Sequence, residues 1–336
     1  NLRRSMAIVR VALPIPLPQA FDYTAADAGV GDVGRCVKVP FGRGERTGLI
    51  VGIGGEAGVE LARIKPVLHI QRGVPALPAD WLELVSFVAR YYHAPLGEVV
   101  ALALPPGLRR ADGVSDEDED PLLGVAPKGG EALCAARRAS RALALLQALA
   151  AEPGPWRRSV IRAREGGEAV GELLRRGWLE IVADPGARHE AGAQPLATPE
   201  QAAAVDAIVG AGMRFRPWLL HGVTGSGKTE VYLRLAAHAL AQGRQVLMLV
   251  PAIALTPQLE QRVAQRFAAA NVVSLHSALA DGARSRGFVQ ALSGRADIVL
   301  GTRLAVFAPL PRLGLILVDE EHDASYKQQE GVRYSA

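Results

Sequence analysis

Cysteine is scarce in this chain, with two residues, Cys36 and Cys134, among 336. They stand far apart and have no partners at metal-ligand spacing, so a disulfide framework and a zinc site are both unsupported. Lysine is scarce as well, supplying five of the 38 basic residues, a bias that says little about function. No apolar run reaches the ~18 residues that a membrane span needs. Arg10 and the prolines at 14, 16 and 18 interrupt any signal-peptide apolar stretch near the start. These absences describe a cytoplasmic protein without a membrane partner. Basic residues are missing locally too: residues 111–120 hold six acids and no Lys or Arg, so of a net charge of +4 the remainder carries +10. Such a surplus favours a polyanionic partner. The 49% hydrophobic content of 336 residues is ample for two or three packed domains.

Residues 1–110 alternate short apolar runs with turns: Ile8 to Leu13, Cys36 to Val39, Gly48 to Ile53. That pattern predicts a β-rich module. A helical spacing follows (Trp81, Leu82, Val85, Val88, Ala89, Tyr92) and stops near Pro95. Residues 111–125, with the acidic run Asp116 to Asp120, read as a solvated linker. Within 126–185, helix-like segments from Ser140 to Ala151 and Glu168 to Arg176 flank a Pro153-Gly-Pro155 turn, and Trp178 to Val182 reads as a strand. The order helix, turn, helix, strand suggests a winged helix. Arg157, Arg158, Arg162, Arg175 and Arg176 suit either duplex phosphates or the solvated surface of a protein-interaction domain. From 195 to 336 the pattern becomes that of an α/β lobe with a parallel sheet. Buried strands are expected at Trp218–His221, Val246–Val250, Val272–Leu275, Ile298–Gly301 and Leu315–Val318. Helices are expected to start at Thr198-Pro199 and Thr256-Pro257, with Thr as the cap and Pro in the first turn.

The run from Gly222 to Thr229 fits a phosphate-binding loop at every position and lies between an apolar stretch and a helical one. Gly222, Thr224, Gly225, Ser226 and Gly227 are expected to turn backbone N–H groups onto the β- and γ-phosphates of a nucleotide. Lys228 adds a point charge, and Thr229 a hydroxyl for Mg2+. Some 90 residues later, Leu315 to Val318 delivers Asp319 and Glu320 to the carboxyl end of a strand, where α/β sheets place ligand chemistry. Asp319 is expected to share the magnesium, and Glu320 to polarise the attacking water; with Lys228 these are the catalytic candidates. Thr302 and Arg303 are candidates to grip a single-strand backbone, although Arg303 also reads as a surface charge capping the sheet. Gln201 suits two roles equally, an adenine edge or the N3 position of a capping box with Thr198.

The stretches Gly222 to Tyr232, Leu249 to Gln258, Val318 to Asp323 and Ser325 to Gln329 resemble the family of primosomal protein N-prime, the PriA replication-restart helicases. So do Ala12 to Pro18, Phe21 to Tyr23, Val39 to Gly42 and Tyr91 to His93. The resemblance implies a multidomain chain: a β-rich 3′-end DNA-binding domain, a winged helix and the first RecA-like lobe of a superfamily 2 helicase with 3′ to 5′ polarity. By the same resemblance Phe21, Asp22, Tyr23, Gly42 and Lys65 hold a 3′ end, through an aromatic stacking face, a carboxylate for the 3′ hydroxyl and a cation for phosphate. Implied partners are branched and single-stranded DNA, single-stranded-DNA-binding protein and primosome components, with the protein itself a monomer. A second lobe and a cysteine-rich zinc region belong to the family and are not found in these residues. The family usually has Glu where this chain has Ala252, and Ser where it has Leu304. Both departures fall in loops that couple DNA to nucleotide, which keeps open a fork-binding scaffold with an impaired motor. A kinase using the same loop would leave Gly301-Thr-Arg303 and Asp319 to His322 without a task.

Overall fold

The computed structural model describes residues 7–54, 63–109, 122–135, 140–152, 154, 156–182, 195–212, 214–223, 225–252, 254–255 and 257–336. Thr224, Thr256 and the acidic run from Asp116 to Asp120 lie outside them. The chain divides into two compact units, one formed by Asn1–Val114 with His189–Ala336, the other by Ser115–Arg188.

The first unit begins with β1 (Ala7–Ala12), β2 (Phe21–Ala25), β3 (Cys36–Phe41), β4 (Gly44–Ile53) and β5 (His69–Ile70), paired antiparallel in the order β2-β1-β4-β3-β5. Alternation drives the pairing: Val9, Val11, Val37, Val39 and Ile50 fill one face with Tyr23. On the other face, Leu49 meets α1 (Ala79–Tyr91) and α2 (Leu96–Ala103). Trp81, Val85 and Val88 make the buried stripe of α1, as their spacing predicts. The helix ends at Tyr92, and His93 turns the chain with φ +53° before Pro95 opens α2. Burial in this core pushes the Cys36 thiol up to about 12, which disfavours the thiolate.

The second unit contains β6 (Leu122–Val125), α3 (Pro127–Ala135), α4 (Arg141–Ala150), β7 (Trp156–Arg157), α5 (Arg158–Glu165), α6 (Gly167–Arg175) and β8 (Leu179–Val182). Its antiparallel sheet runs β7-β6-β8, and Leu123, Leu146, Ile161 and Leu173 form its core. Ser140 caps α4 by accepting from the Leu143 amide at 3.1 Å. Four elements differ from expectation: β6 lies within the segment expected to be linker, α3 follows it, and β7 and α5 stand where the sequence offered only an arginine-rich stretch.

The first unit resumes with α7 (Pro199–Gly210), α8 (Lys228–Ala241), β9 (Gln245–Leu249), α9 (Pro257–Arg266), β10 (Val272–Leu275), α10 (Asp281–Leu292), β11 (Ile298–Gly301) and β12 (Leu313–Val318). Its sheet is parallel in the order β10-β11-β9-β12, with β9 and β11 buried throughout. The expectation of uniform burial fails at the edges. β10 alternates buried and half-buried residues, and Leu313, Ile316 and Val318 of β12 are exposed. The strand expected at Trp218–His221 is not formed: among the described residues it pairs with no strand, and Leu219 is 78% exposed. Trp218 lies instead under the Arg216 guanidinium, 4.8 Å from its ring centroid. An apolar run reports readiness for burial; whether a neighbouring strand covers it is a tertiary matter.

Candidate nucleotide and nucleic-acid sites

Three elements converge at the carboxyl ends of β9 and β12. The loop before α8 brings Gly222, Gly225, Ser226 and Gly227. Thr229 stands in the first turn of α8, and Asp319 with Glu320 follow β12. Gly225, Gly227, Thr229, Asp319 and Glu320 line a cleft of about 670 Å³ together with Lys228, Pro195, Leu233 and, from α9, Arg262, Gln265 and Arg266. Lys228 points its ammonium into the ring of carbonyls and acids, 2.8 Å from the Gly222 carbonyl and 3.3 Å from a Glu320 carboxylate oxygen. Gly225 and Gly227 have φ of +81° and +85°, and a Cβ at Gly227 would meet the Gln201 side-chain nitrogen at 2.3 Å. The positive φ asks for glycine at 227, whereas the Gln201 amide, the end of a flexible side chain, could give way.

Gln201 performs the capping role in full. Its amide donates to the Thr198 hydroxyl oxygen at 3.3 Å, and its side-chain oxygen accepts from the Thr198 amide at 3.0 Å. Its side-chain nitrogen also reaches the Gly227 carbonyl at 3.3 Å, which ties α7 to the phosphate loop.

Asp319 is held by two tyrosines that the sequence reading did not single out. The Tyr232 hydroxyl bonds its carboxylate, and the Tyr326 hydroxyl donates to its carbonyl at 2.7 Å. Burial and then the negative charge of Asp319 push Tyr232 up to about 12. Asp319 itself is pushed above the usual carboxylate range, first by burial and then by Glu320, against the pull of Lys228. Glu320 adopts a left-handed conformation at φ +45°, a strained geometry for a non-glycine residue that aims its carboxylate at Lys228. Glu230, on the wall of the cleft, accepts from Arg234 at 2.8 Å and from Arg266 at 3.1 Å. The one local signal for this network was Glu230 and Arg234 at helical i,i+4 spacing.

A second group of candidates meets at the corner of the antiparallel sheet. Phe21 packs edge-on against Phe41 at 5.5 Å, next to Gly42, which turns the chain from β3 to β4 with φ +59°. Lys65 is exposed, and its carbonyl accepts from the Thr24 amide at 3.0 Å, which holds it alongside β2. Asp22 is 15% exposed, with the Arg10 guanidinium at 3.7 Å. Tyr23 shares the face of Phe21 but lies deeper: it is buried, and its hydroxyl donates to the Pro40 carbonyl at 3.2 Å. Phe21, half-buried where Tyr23 is buried, is the more accessible of the two rings.

Thr302 and Arg303 follow β11. Arg303 donates to the carbonyls of Ser325 and Lys327, both at 2.9 Å, so its guanidinium braces the segment after β12. The Ala252 amide meets the Ser325 hydroxyl at 3.4 Å, and Leu304 packs on the core beneath α1. Among the described residues no group of three or more His, Cys, Asp or Glu gathers to hold a metal ion. No helix among them is long and apolar enough to cross a membrane.

Residues 10–105 match the family model of a 3′ DNA-binding domain, and residues 198–335 that of the DEAD/DEAH box helicases. The replication restart protein PriA of Haemophilus influenzae is 35% identical over 349 residues, covering 98% of this chain and 46% of that protein. PriA of Chlamydia pneumoniae is 34% identical over 311 residues, 88% of this chain and 41% of that protein. PriA of Treponema pallidum is 50% identical over 137 residues, 41% of this chain and 20% of that protein. The chain spans about half the length, or less, of the curated relatives it matches. With the sheet-rich module and the parallel-sheet lobe each matched, and relatives aligned along nearly its whole length, the chain belongs to the PriA family of replication restart proteins.

Proposed function

We propose that this chain serves an ATP-dependent DNA helicase of replication restart, of superfamily 2 and 3′ to 5′ polarity, that recognises stalled forks and the 3′ end of the leading strand and loads the primosome. The observation that carries this reading is the convergence of Lys228, Thr229, Asp319 and Glu320 on one cleft of the parallel-sheet lobe. The Thr229 hydroxyl and the Asp319 carboxylate are hard oxygen donors of the kind magnesium takes, with phosphate and water completing its shell. The bound ion would neutralise phosphate charge. The remaining roles fall to the chain's own groups. Gly225, Ser226 and Gly227, with Gly222 and Thr224, present backbone amides to the phosphates. Lys228 exchanges the Gly222 carbonyl and Glu320 for phosphate oxygens, which frees Glu320 to orient water. Gln201 keeps the loop in register and leaves the base to the walls of the cleft.

DNA is engaged at two places. Phe21, Asp22, Gly42 and Lys65 form the pocket for a 3′ end, with Tyr23 as its buried support. Thr302 faces the strand along the lobe, and Arg303 stiffens that loop. The modules are the 3′-end domain over 1–110, a winged helix over 126–185 with Arg158, Arg175 and Arg176 toward duplex phosphates, and the RecA-like lobe over 195–336. Single-stranded-DNA-binding protein and primosome components are the partners, and the compartment is the bacterial cytoplasm. A scaffold with an impaired motor is the second reading, favoured by Ala252 and by the apolar seat of Leu304.

Lys228→Ala is expected to abolish binding of a fluorescent ATP analogue and to leave fork affinity within a few-fold; parallel loss of both would refute separate sites. Asp22→Ala is expected to weaken forks with a free 3′ hydroxyl more than forks with a blocked one. ATP turnover stimulated by forked DNA supports the motor, whereas a rate indifferent to DNA with fork affinity intact supports the scaffold.

A further inference from the structure

Tyr91 to His93 takes no part in either site described above, yet it belongs to an unusual surface. Phe87 and Tyr91, one turn apart on α1, are 51% and 65% exposed. Their rings stack with centroids 5.3 Å apart and planes at 26°. Such area left open to water on a helix whose opposite stripe is buried has no role in the core. Tyr91 is also buttressed from behind. Tyr92 packs edge-on against Tyr91 at 4.9 Å, and its hydroxyl accepts from the Ser335 amide at 3.2 Å.

Charge around the rings selects the ligand. Arg90 lies on the same helix face, and His93 follows in the turn; both are exposed. Arg333 is exposed on the segment whose alternate residues, Val332 and Tyr334, are buried, so it shares a side with Ser335, the residue that touches Tyr92. Neither Arg90 nor Arg333 has an ion-pair partner among the described residues. Glu83, one turn before Phe87, and Asp80, two turns before it, are the acids on this face, both toward the start of the helix. We infer that Phe87 and Tyr91 form a stacking platform for unpaired bases, with Arg90 and Arg333 taking the flanking phosphates, a single-strand site distinct from the 3′-end corner. Stacking on aromatic faces beside cations is how single strands are held without regard to sequence. Two rings are far less than the patch a stable protein interface needs. The inference rests on the reading of the chain as DNA-binding.

The test uses the 336-residue chain and labelled forks with or without a single-stranded arm. The double variant Phe87→Ala, Tyr91→Ala alters exposed side chains and should keep its fold and its nucleotide affinity. It is expected to bind the armed fork about tenfold more weakly, since base stacking on an aromatic ring is worth roughly that much. Its affinity for a blunt duplex should stay within twofold. In Phe87→Trp the affinity should persist, and oligothymidylate should quench the added tryptophan emission. Armed-fork affinity within twofold of the native chain, or emission unmoved by oligothymidylate, overturns the platform and leaves the rings to a protein partner while the functional reading stands. A native chain that binds no DNA overturns both.

Discussion

Asp319 is the residue where chemistry and stability pull apart. Burial first and Glu320 second raise its carboxyl above the usual range, and the Lys228 charge and Tyr232 hydroxyl only partly offset them. A carboxyl that holds its proton more tightly in the native state contributes stability that is full below the unfolded aspartate pKa. That contribution is lost as pH rises through the elevated native value. A charged Asp319 is therefore less favourable in the folded cleft than in the unfolded chain. Asp319→Asn keeps the shape and the Tyr232 bond and removes the charge. It should raise the nucleotide-free melting temperature at pH 7.5 by on the order of 1–3 °C, with the gap closing as pH falls toward 4. The same variant should lose its affinity for Mg-nucleotide. Thermal melts across pH check the first part, and a variant no more stable than the native chain at pH 7.5 would show that Lys228 and Tyr232 outweigh burial. The site was legible where its chemistry is contiguous: Gly222 to Thr229, and Asp319 with Glu320, declare themselves in short runs. Tyr326 and Arg266 escaped because nothing local marks a side chain whose partner is reached only by folding.

Among the elements, short ones were the least legible, for a physical reason. Trp81, Val85 and Val88 repeat at helical spacing over 13 residues, and α1 follows from them. α2 has eight residues, almost all apolar, and too few turns to establish a period. Its packing explains its composition. α2 crosses β1 so closely that a Cβ on Gly97 would lie 1.6 Å from the Leu13 carbonyl oxygen, a backbone atom with no room to retreat. Gly97→Ala should therefore destabilise the first unit by on the order of 3 kcal/mol, as overpacking against backbone does, seen as a lower urea midpoint. An unchanged midpoint would mean that α2 slides off β1 without cost. The missing strand at Trp218–His221 is the opposite error, a short apolar run read as paired when its neighbour was not a property of the run.

Across the whole molecule, one core joins the two modules of the first unit. Trp81, Val85, Val99 and Leu108 from the sheet-rich part share it with Phe288, Leu292, Phe307, Val332 and Tyr334 from the parallel-sheet lobe. Trp81 is 3% exposed and donates its indole N–H to the Phe307 carbonyl at 2.7 Å, across 226 residues of sequence. That carbonyl closes the 3-10 turn that starts at Arg303, directly after Thr302. The corner proposed to hold a 3′ end and the loop proposed to face the strand are thus fastened to one body. Pattern along the chain gives the stripe on α1 but not its second partner, because both modules look complete in sequence. Trp81→Ala should remove about 3–5 kcal/mol, the range for an aromatic lost from a core, and leave the Phe307 carbonyl without its donor. Calorimetry of the native chain should show these two modules melting together. In Trp81→Ala that shared transition should divide, with the sheet-rich module melting first, while Trp81→Phe, which restores most of the packing, should keep it whole at a lower temperature. If Trp81→Ala still melts both modules together, within about 2 °C of the native chain, the joint core does not bind them, and the 3′-end corner and the strand loop would have to communicate by another route.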